Sequence, residues 1–460
     1  MMPKEPGSDA GIPRVLPDDL VLRRASKDDA ERIAEFNEMV HSGPDSGLRG
    51  LSATEAREYG ASIAAATLDL MSGNHPTVKA SDFLIVEDKR SNKIVSSLVC
   101  IAQTWSYQGI PFSVMKIEAV GTRPEYRKRG LVRTLFETAH SWSDSLGTYV
   151  QTVSGIPYYY RQFGYELAIH WGGGRTGYRA HVPSLKEGST EPFLLRRATE
   201  DDIPFISTIV LNGDSRSLIA CLRDEPLWAY ELKGRSEKSL SRNVLEIIET
   251  DGGESIGLLV TRPYLWKSTV TVLRYELVSG FPWNEVTPSV VRALWTKGTV
   301  MAQETGQELL AFTFGLGSEH PVYEVFQSGL PRARAPYAQY VRVPDLAGFV
   351  RLIAPALERR LAESVLRGYS GELKLNFYRS GLRLTFKTGS LVDVEAWPPQ
   401  SSEDGDARFP DFTFFQLLFG RLTLESLEAV FGDCSCDEDI VRSLLKTLFP
   451  QRPSNVWFLG

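Results

Sequence analysis

Four consecutive residues, Arg127-Lys128-Arg129-Gly130, stand between an apolar segment that reads as a strand (Val114–Val120) and an amphipathic one that opens at Leu131. Free backbone amides at a helix N-terminus, behind a basic loop containing glycine, form a natural pyrophosphate site. Gly130 lets the main chain approach the phosphates closely, and Lys128 or Arg123 can meet a further one. The loop alone is equally consistent with a turn that caps a helix and holds no ligand. Its context favours the site: a helix with Leu131, Leu135, Thr138 and Ala139 on one side follows, and then a strand over Thr148–Val153. Further on, Tyr158-Tyr159-Tyr160 follow Pro157, where packing aromatics or a phenolic proton donor would each account for them.

The elements that must position these groups recur. Leu22–Asp29 reads LRRASKDD and Leu195–Asp202 reads LRRATEDD, six of eight positions identical at a spacing of 173 residues. In each, a short strand runs into Ser26 or Thr199, an N-cap residue, and Asp29 or Asp202 follows where a carboxylate suits the free amides. A period this long predicts two domain-sized copies rather than a solenoid. A second echo, Pro157–Tyr165 against Pro321–Leu330, places Pro and aromatics ahead of a Gly and a large apolar residue. The second copy lacks the basic loop: Tyr275–Trp295 contains no Arg-x-x-Gly ahead of a helix.

The last 120 or so residues differ in texture. Asp345–Ala362 carries apolar residues at helical spacing, and Leu373–Phe386 alternates strictly around Arg379-Ser380-Gly381, as an antiparallel meander does. Apolar helical segments follow at Asp411–Gly420, Leu424–Phe431 and Asp437–Phe449. The aromatic run Phe409–Phe419 reads as core or interdomain wall, with a lipid pocket as the alternative.

Composition bounds what such a chain does. Its 460 residues are 42% hydrophobic and 23% charged, a length that predicts about three domains. No apolar run approaches the roughly 20 residues that span a bilayer, and the N-terminus lacks the apolar stretch of a signal peptide. A soluble cytoplasmic protein without membrane insertion is expected. Four cysteines fit a reducing compartment, and Cys434 and Cys436, one residue apart, are too close for a usual zinc knuckle. No metal is expected, since the six histidines also lack ligand spacing. The net charge of −6 disfavours nucleic acid and leaves room for a cationic substrate. Glu35, Glu38, Asp45, Glu55 and Glu58 suggest an acidic acceptor wall, although a solvated helix face explains them equally well.

The Arg127–Val132 stretch resembles the Arg/Gln-x-x-Gly-x-Gly/Ala loop of the GNAT superfamily of N-acetyltransferases, with Val132 in place of the last small residue. Val120–Leu131 and Tyr160-Arg161-Gln162-Phe163-Gly164-Tyr165 are similar to signatures of its "enhanced intracellular survival" (Eis) branch, with Gln162 replacing an Arg. The resemblance covers nearly all of residues 20–460. It implies a flexible tail (1–20), a catalytic GNAT domain (21–190), a degenerate GNAT-like domain (191–338) and a sterol-carrier-like α+β domain (339–460). It also implies an acetyl-CoA co-substrate held by Val120, Gly121 and Thr122 on the strand and by Arg127, Lys128, Arg129, Gly130, Leu131 and Val132 in the loop. Tyr160 maps onto the family's general acid. The base is the C-terminal carboxylate, here Gly460, or else Glu118. The acceptor is a primary amine of a small cationic molecule (aminoglycoside-like, polyamine or lysine), and the assembly a homo-oligomer, hexameric in the resembled family. The competing class is a non-catalytic lipid-binding or scaffold protein built around the C-terminal domain.

Overall fold

The computed structural model describes residues 11–42 and 53–457. The first sheet begins with strands β1 (Arg14–Leu16) and β2 (Leu20–Arg24), then helices α1 (Ala30–Ser42) and α2 (Ala53–Met71). Strands β3 (Phe83–Asp88), β4 (Lys93–Tyr107) and β5 (Ile110–Thr122) follow, then helix α3 (Leu131–Ser145) and strands β6 (Val150–Val153) and β7 (Glu166–Trp171). β4 and β5 form one long hairpin. Its two-residue turn, Gln108-Gly109, has positive φ at both positions (46° and 85°), the handedness that continues the strands' own twist.

The strand order is β1-β2-β3-β4-β5-β6, then Tyr337–Arg342, then β7. Only β5 and β6 along this path run parallel, pairing Val114–Ile117 with Val150–Val153. Helix α3 closes that connection over one face, burying Leu131, Leu135, Phe136 and Ala139 with Met115 and Ile117. On the other face α1 packs Ile33 and Phe36 with Val99 and Ile101. Ile219–Leu222 extends the sheet along the far half of β4, and Ser454–Asn455 pairs with it in turn.

A second sheet of seven strands has Thr269–Leu277 near its centre and the long helix Trp283–Thr305 against it. The two sheets exchange strands: Gly174–Tyr178 leaves the first region to pair with Ala311–Phe314, while Tyr337–Arg342 enters the first sheet between β6 and β7. A third sheet of five strands carries the alternating segments Gly371–Asn376 and Gly381–Lys387, joined by Ser390–Ala396. The helix expected over Asp345–Ala362 is two helices, Leu346–Leu352 and Ala354–Ala362. Pro355 lacks the amide that would continue the first and sits well in the opening turn of the second. Phe409, Phe414, Phe415 and Phe419 are buried in the core of this region.

The repeated octapeptides fold alike. Arg23 grips Asp29 with two guanidinium nitrogens at 2.8 and 2.7 Å, and Arg196 grips Asp202 at 2.7 and 2.8 Å. Each aspartate also accepts the backbone amide of its cap residue, Ser26 or Thr199, at 2.8 Å. Among the described residues, no helix is long and apolar enough to cross a membrane.

Candidate active site

β5 and β6 part company. Their pairing stops at Ile117 and Val153, yet β5 runs on to Thr122. At the same place a bulge sets Ala119 and Val120 of β5 opposite the single residue Leu98 of β4, with Ala119 at φ 51°. Gly121 and Thr122 still pair with Ser97 and Ser96 of β4, but past Ile117 the β6-facing edge of β5 has no ladder partner among the described residues, so Val120–Thr122 lies where groups on that edge can serve a ligand. Gly121 is required by crowding: a Cβ there would come within 2.8 Å of Val40 on α1. Ser96 fixes this end of the strand, bonding the Gly121 carbonyl and the Thr122 hydroxyl at 2.8 Å each.

The loop to α3 is anchored by Tyr126, whose hydroxyl donates to Asp88 at 2.6 Å. Arg127, Lys128, Arg129 and Gly130 are all exposed, and Lys128 and Gly130 have positive φ (62° and 76°). Leu131 is buried beneath the helix and Val132 half-buried. A Cβ on Gly130 would meet nothing within 4 Å, so conformation alone demands glycine and the space before the helix is open. Exposed amides of an N-terminal turn facing open space, with basic side chains on the approach, fit a pyrophosphate. Arg123, the other cation considered for phosphate, is instead committed to the Ile94 carbonyl at 2.8 Å and to the α1 side of the sheet.

Tyr160 sits in the short turn Tyr159–Phe163 after β6. Its ring is buried among Phe136, Tyr159 and Tyr340, while its hydroxyl lies near the backbone of Gly155 and makes no hydrogen bond among the described residues. Burial, reinforced by the nearby Glu118 carboxylate, pushes the phenol well above its ordinary range. The phenol is therefore held in its protonated form.

Glu118 lies on β5 just past the point of separation, buried, with Ser154 donating at 3.2 Å and the Lys116 ammonium at 3.4 Å. Burial raises its pKa, and Lys116 offsets part of the rise. Lys116, itself buried, has its pKa lowered by desolvation and donates to the main-chain carbonyl of Trp457 at 3.0 Å. Trp457 is the last described residue, so Gly460 lies outside the described residues. Lys116, Ser154 and Trp457 were not among the site residues expected from sequence. Lys116 and Glu118 at i and i+2 on a strand share one face, and that alternation of charges in an apolar strand was the available signal.

Beside Trp457 a cavity of about 850 Å³ opens between the first and second sheets, lined by Tyr59 of α2, by loop residues between Ser255–Thr261 and Thr269–Leu277, and by Pro453–Trp457. Burial pushes the Tyr59 phenol up, with Tyr264 and Glu118 adding to the rise. Of the acidic residues considered for an acceptor wall, Glu35, Glu55 and Glu58 are exposed and none lines this cavity; Asp45 lies outside the described residues. All four cysteines are buried and free. Among the described residues no group of three or more His, Cys, Asp or Glu is arranged to hold a metal.

Residues 22–168 match the family model of the acetyltransferase (GNAT) domain. No curated protein matches the chain by sequence. Three solved structures share its fold over 96% of its length. A conserved protein of unknown function from Enterococcus faecalis V583 aligns with a TM-score of 0.65, 13% identity and 100% of its own chain covered. A GCN5-related N-acetyltransferase from Kribbella flavida aligns at 0.60, with 17% identity and 99% covered. Eis1 from Mycobacterium abscessus aligns at 0.55, with 14% identity and 99% covered. The parted strands and the basic loop opening α3 both fall within residues 22–168, the segment that matches the acetyltransferase (GNAT) domain model.

Proposed function

We propose that the chain transfers an acetyl group from acetyl-CoA directly to a primary amine in the cleft where β5 and β6 separate. The observation that carries this reading is the Tyr160 hydroxyl, unpartnered among the described residues and held beside the parted strands by a buried aromatic cluster. Acetyl-CoA supplies the activated thioester. The amides and basic side chains of Arg127–Val132 hold the pyrophosphate, and backbone groups of Val120, Gly121 and Thr122 line the pantetheine and thioester, where a hydrogen bond to the carbonyl oxygen favours attack. The amine loses a proton to the Gly460 carboxylate or to Glu118. Tyr160 donates a proton to the departing sulfur.

The repeated octapeptides, the exchanged strands and the third sheet support the layout of an active GNAT copy, a second copy without a cofactor loop, and a sterol-carrier-like module. In that reading the second copy is a scaffold, and the phenylalanines of the third region are packing residues. An amine acceptor of aminoglycoside, polyamine or lysine type is the class the family resemblance implies. Thiol release from acetyl-CoA against a panel of such amines tests the reaction. Acetyl-CoA that binds without acetylating any amine defeats it, and a CoA stoichiometry near two per chain defeats the scaffold role.

A further inference from the structure

Six side chains lining the cavity beside Trp457 are Arg or Lys, and only two are acidic. One of those acids, Glu276, is already engaged by Arg216 at 2.6 Å and lies 3.6 Å from Arg274. The other, Glu319, is exposed. The remaining cations have no carboxylate partner among the described residues. Arg262, half-buried, donates to the neutral hydroxyl of Tyr264 at 2.6 Å, and Lys267 stands beyond it in the same loop.

Arg274 is buried with 2% of its surface exposed, and one of its terminal nitrogens, Nη1, bonds Asp214 at 2.9 Å. Among the described residues, the other, Nη2, is buried without a hydrogen-bond partner, as are the indole nitrogen of Trp457 and the hydroxyls of Ser241 and Ser454. All four residues line the cavity. Unmatched buried donors are costly and seldom left so without a ligand or water to satisfy them. Here they surround a space ringed with positive charge.

We propose that this cavity receives an anionic group, a carboxylate or phosphate, carried by the amine that is acetylated, with Arg262 and Arg274 as its principal ligands. The proposal rests on the acetyl-transfer reading above and narrows its acceptor class away from polycations. The wall is shared with the chemistry. Trp457, whose side chain borders the cavity, accepts through its carbonyl from Lys116, the partner of Glu118. Tyr59 and Trp266, with ring centroids 5.9 Å apart, offer flat apolar surface for the connecting part of the molecule.

Two measurements on the full chain decide it. The first is calorimetric titration with inorganic phosphate in the presence of saturating CoA, so that the pyrophosphate loop is occupied. Binding that weakens about tenfold in Arg262→Gln, the loss of one charge-assisted contact, supports the proposal. No binding, binding abolished by CoA, or affinity unaltered in Arg262→Gln overturns it. The second compares paired acceptors that differ by the anionic group: lysine with cadaverine, and glucosamine 6-phosphate with glucosamine. The anionic member is expected to win through a lower KM at similar kcat, and Arg262→Gln to collapse the ratio. Cadaverine and glucosamine performing as well as their partners, or a ratio that survives Arg262→Gln, overturns the proposal. Should none of the four be acetylated, the acetyl-transfer reading loses support while the phosphate titration still decides this one.

Discussion

The Lys116 ammonium donates to the Trp457 carbonyl oxygen at 3.0 Å, tying a central strand of the first sheet to a residue 341 positions later. The same ammonium is 3.4 Å from Glu118. Replacing Lys116 with Met leaves the Glu118 carboxylate buried with Ser154 as its one remaining hydrogen-bond partner among the described residues. Breaking a buried pair on one side costs about 3–5 kcal/mol. We therefore expect Lys116→Met to lower thermal stability by roughly that amount. Adding Glu118→Gln should restore much of the stability, because the stranded charge is gone. A double mutant no more stable than the single would show that the ion pair is not the source of the loss.

Tyr160→Phe separates packing from chemistry. The hydroxyl has no hydrogen bond among the described residues, so a phenylalanine keeps the contacts with Phe136, Tyr159 and Tyr340. Stability should change by less than about 1 kcal/mol and acetyl-CoA binding should persist. If Tyr160 is the proton donor, kcat should fall by about 100-fold or more. Steady-state kinetics beside CoA titration check this, and unchanged kcat rejects the role.

Where chemistry depends on local chain, it was legible. The loop Arg127–Gly130, the start of α3 at Leu131 and the strand before it follow from a basic turn, a glycine and two periodicities. Both copies of the octapeptide fold as their capping residues imply. The failures are non-local. Nothing in Tyr337–Arg342 announces that it completes the first sheet beside β6, or in Gly174–Tyr178 that it pairs with Ala311–Phe314. An alternating segment declares that it is a strand but not its partner. The cavity was hidden for the same reason, since Tyr59, Arg262, Arg274 and Trp457 meet only when three distant segments fold together. The acidic residues near α2 drew attention by composition, yet the helix turns Glu55 and Glu58 to solvent.

The two candidate bases predict different pH profiles. Burial raises the pKa of Glu118 despite the offset from Lys116. A base must be ionised, so a raised pKa moves the acid limb of kcat/KM to higher pH than the roughly 4.3 of an ordinary glutamate. If Glu118 serves, activity climbs through that raised value and Glu118→Gln removes the limb. If the terminus serves, deleting Leu459 and Gly460 removes it and Glu118→Gln leaves it in place.

Gly130→Ala tests the loop. The backbone there has φ 76° and a new methyl would meet no protein atom within 4 Å. The cost to folding is therefore conformational, about 1–2 kcal/mol. A Cβ also occupies the open space ahead of the helix, so KM for acetyl-CoA should rise about tenfold, a cost of about 1.4 kcal/mol in binding, with kcat little altered. An unchanged KM alongside lost stability would make Gly130 a capping residue only.

The octapeptide aspartates make an acid-sensitive pair. The Arg196 guanidinium, aided by the Thr199 amide and opposed by burial, holds Asp202 down to about 2. Arg23 and Ser26 hold Asp29 lower still, against burial that would raise it. A carboxylate whose folded pKa lies below its unfolded value of about 3.9 contributes stability that is present in full above that value. The contribution from Asp202 is then lost as pH falls from about 4 to about 2, and that from Asp29 over a window extending lower. Asp202→Asn should lower stability at pH 7 and flatten the dependence over that first window, because an amide cannot titrate. Denaturant melts at stepped pH measure both. A variant that keeps the wild-type slope between pH 4 and pH 2 would show that the Arg196–Asp202 grip is not what acid undoes.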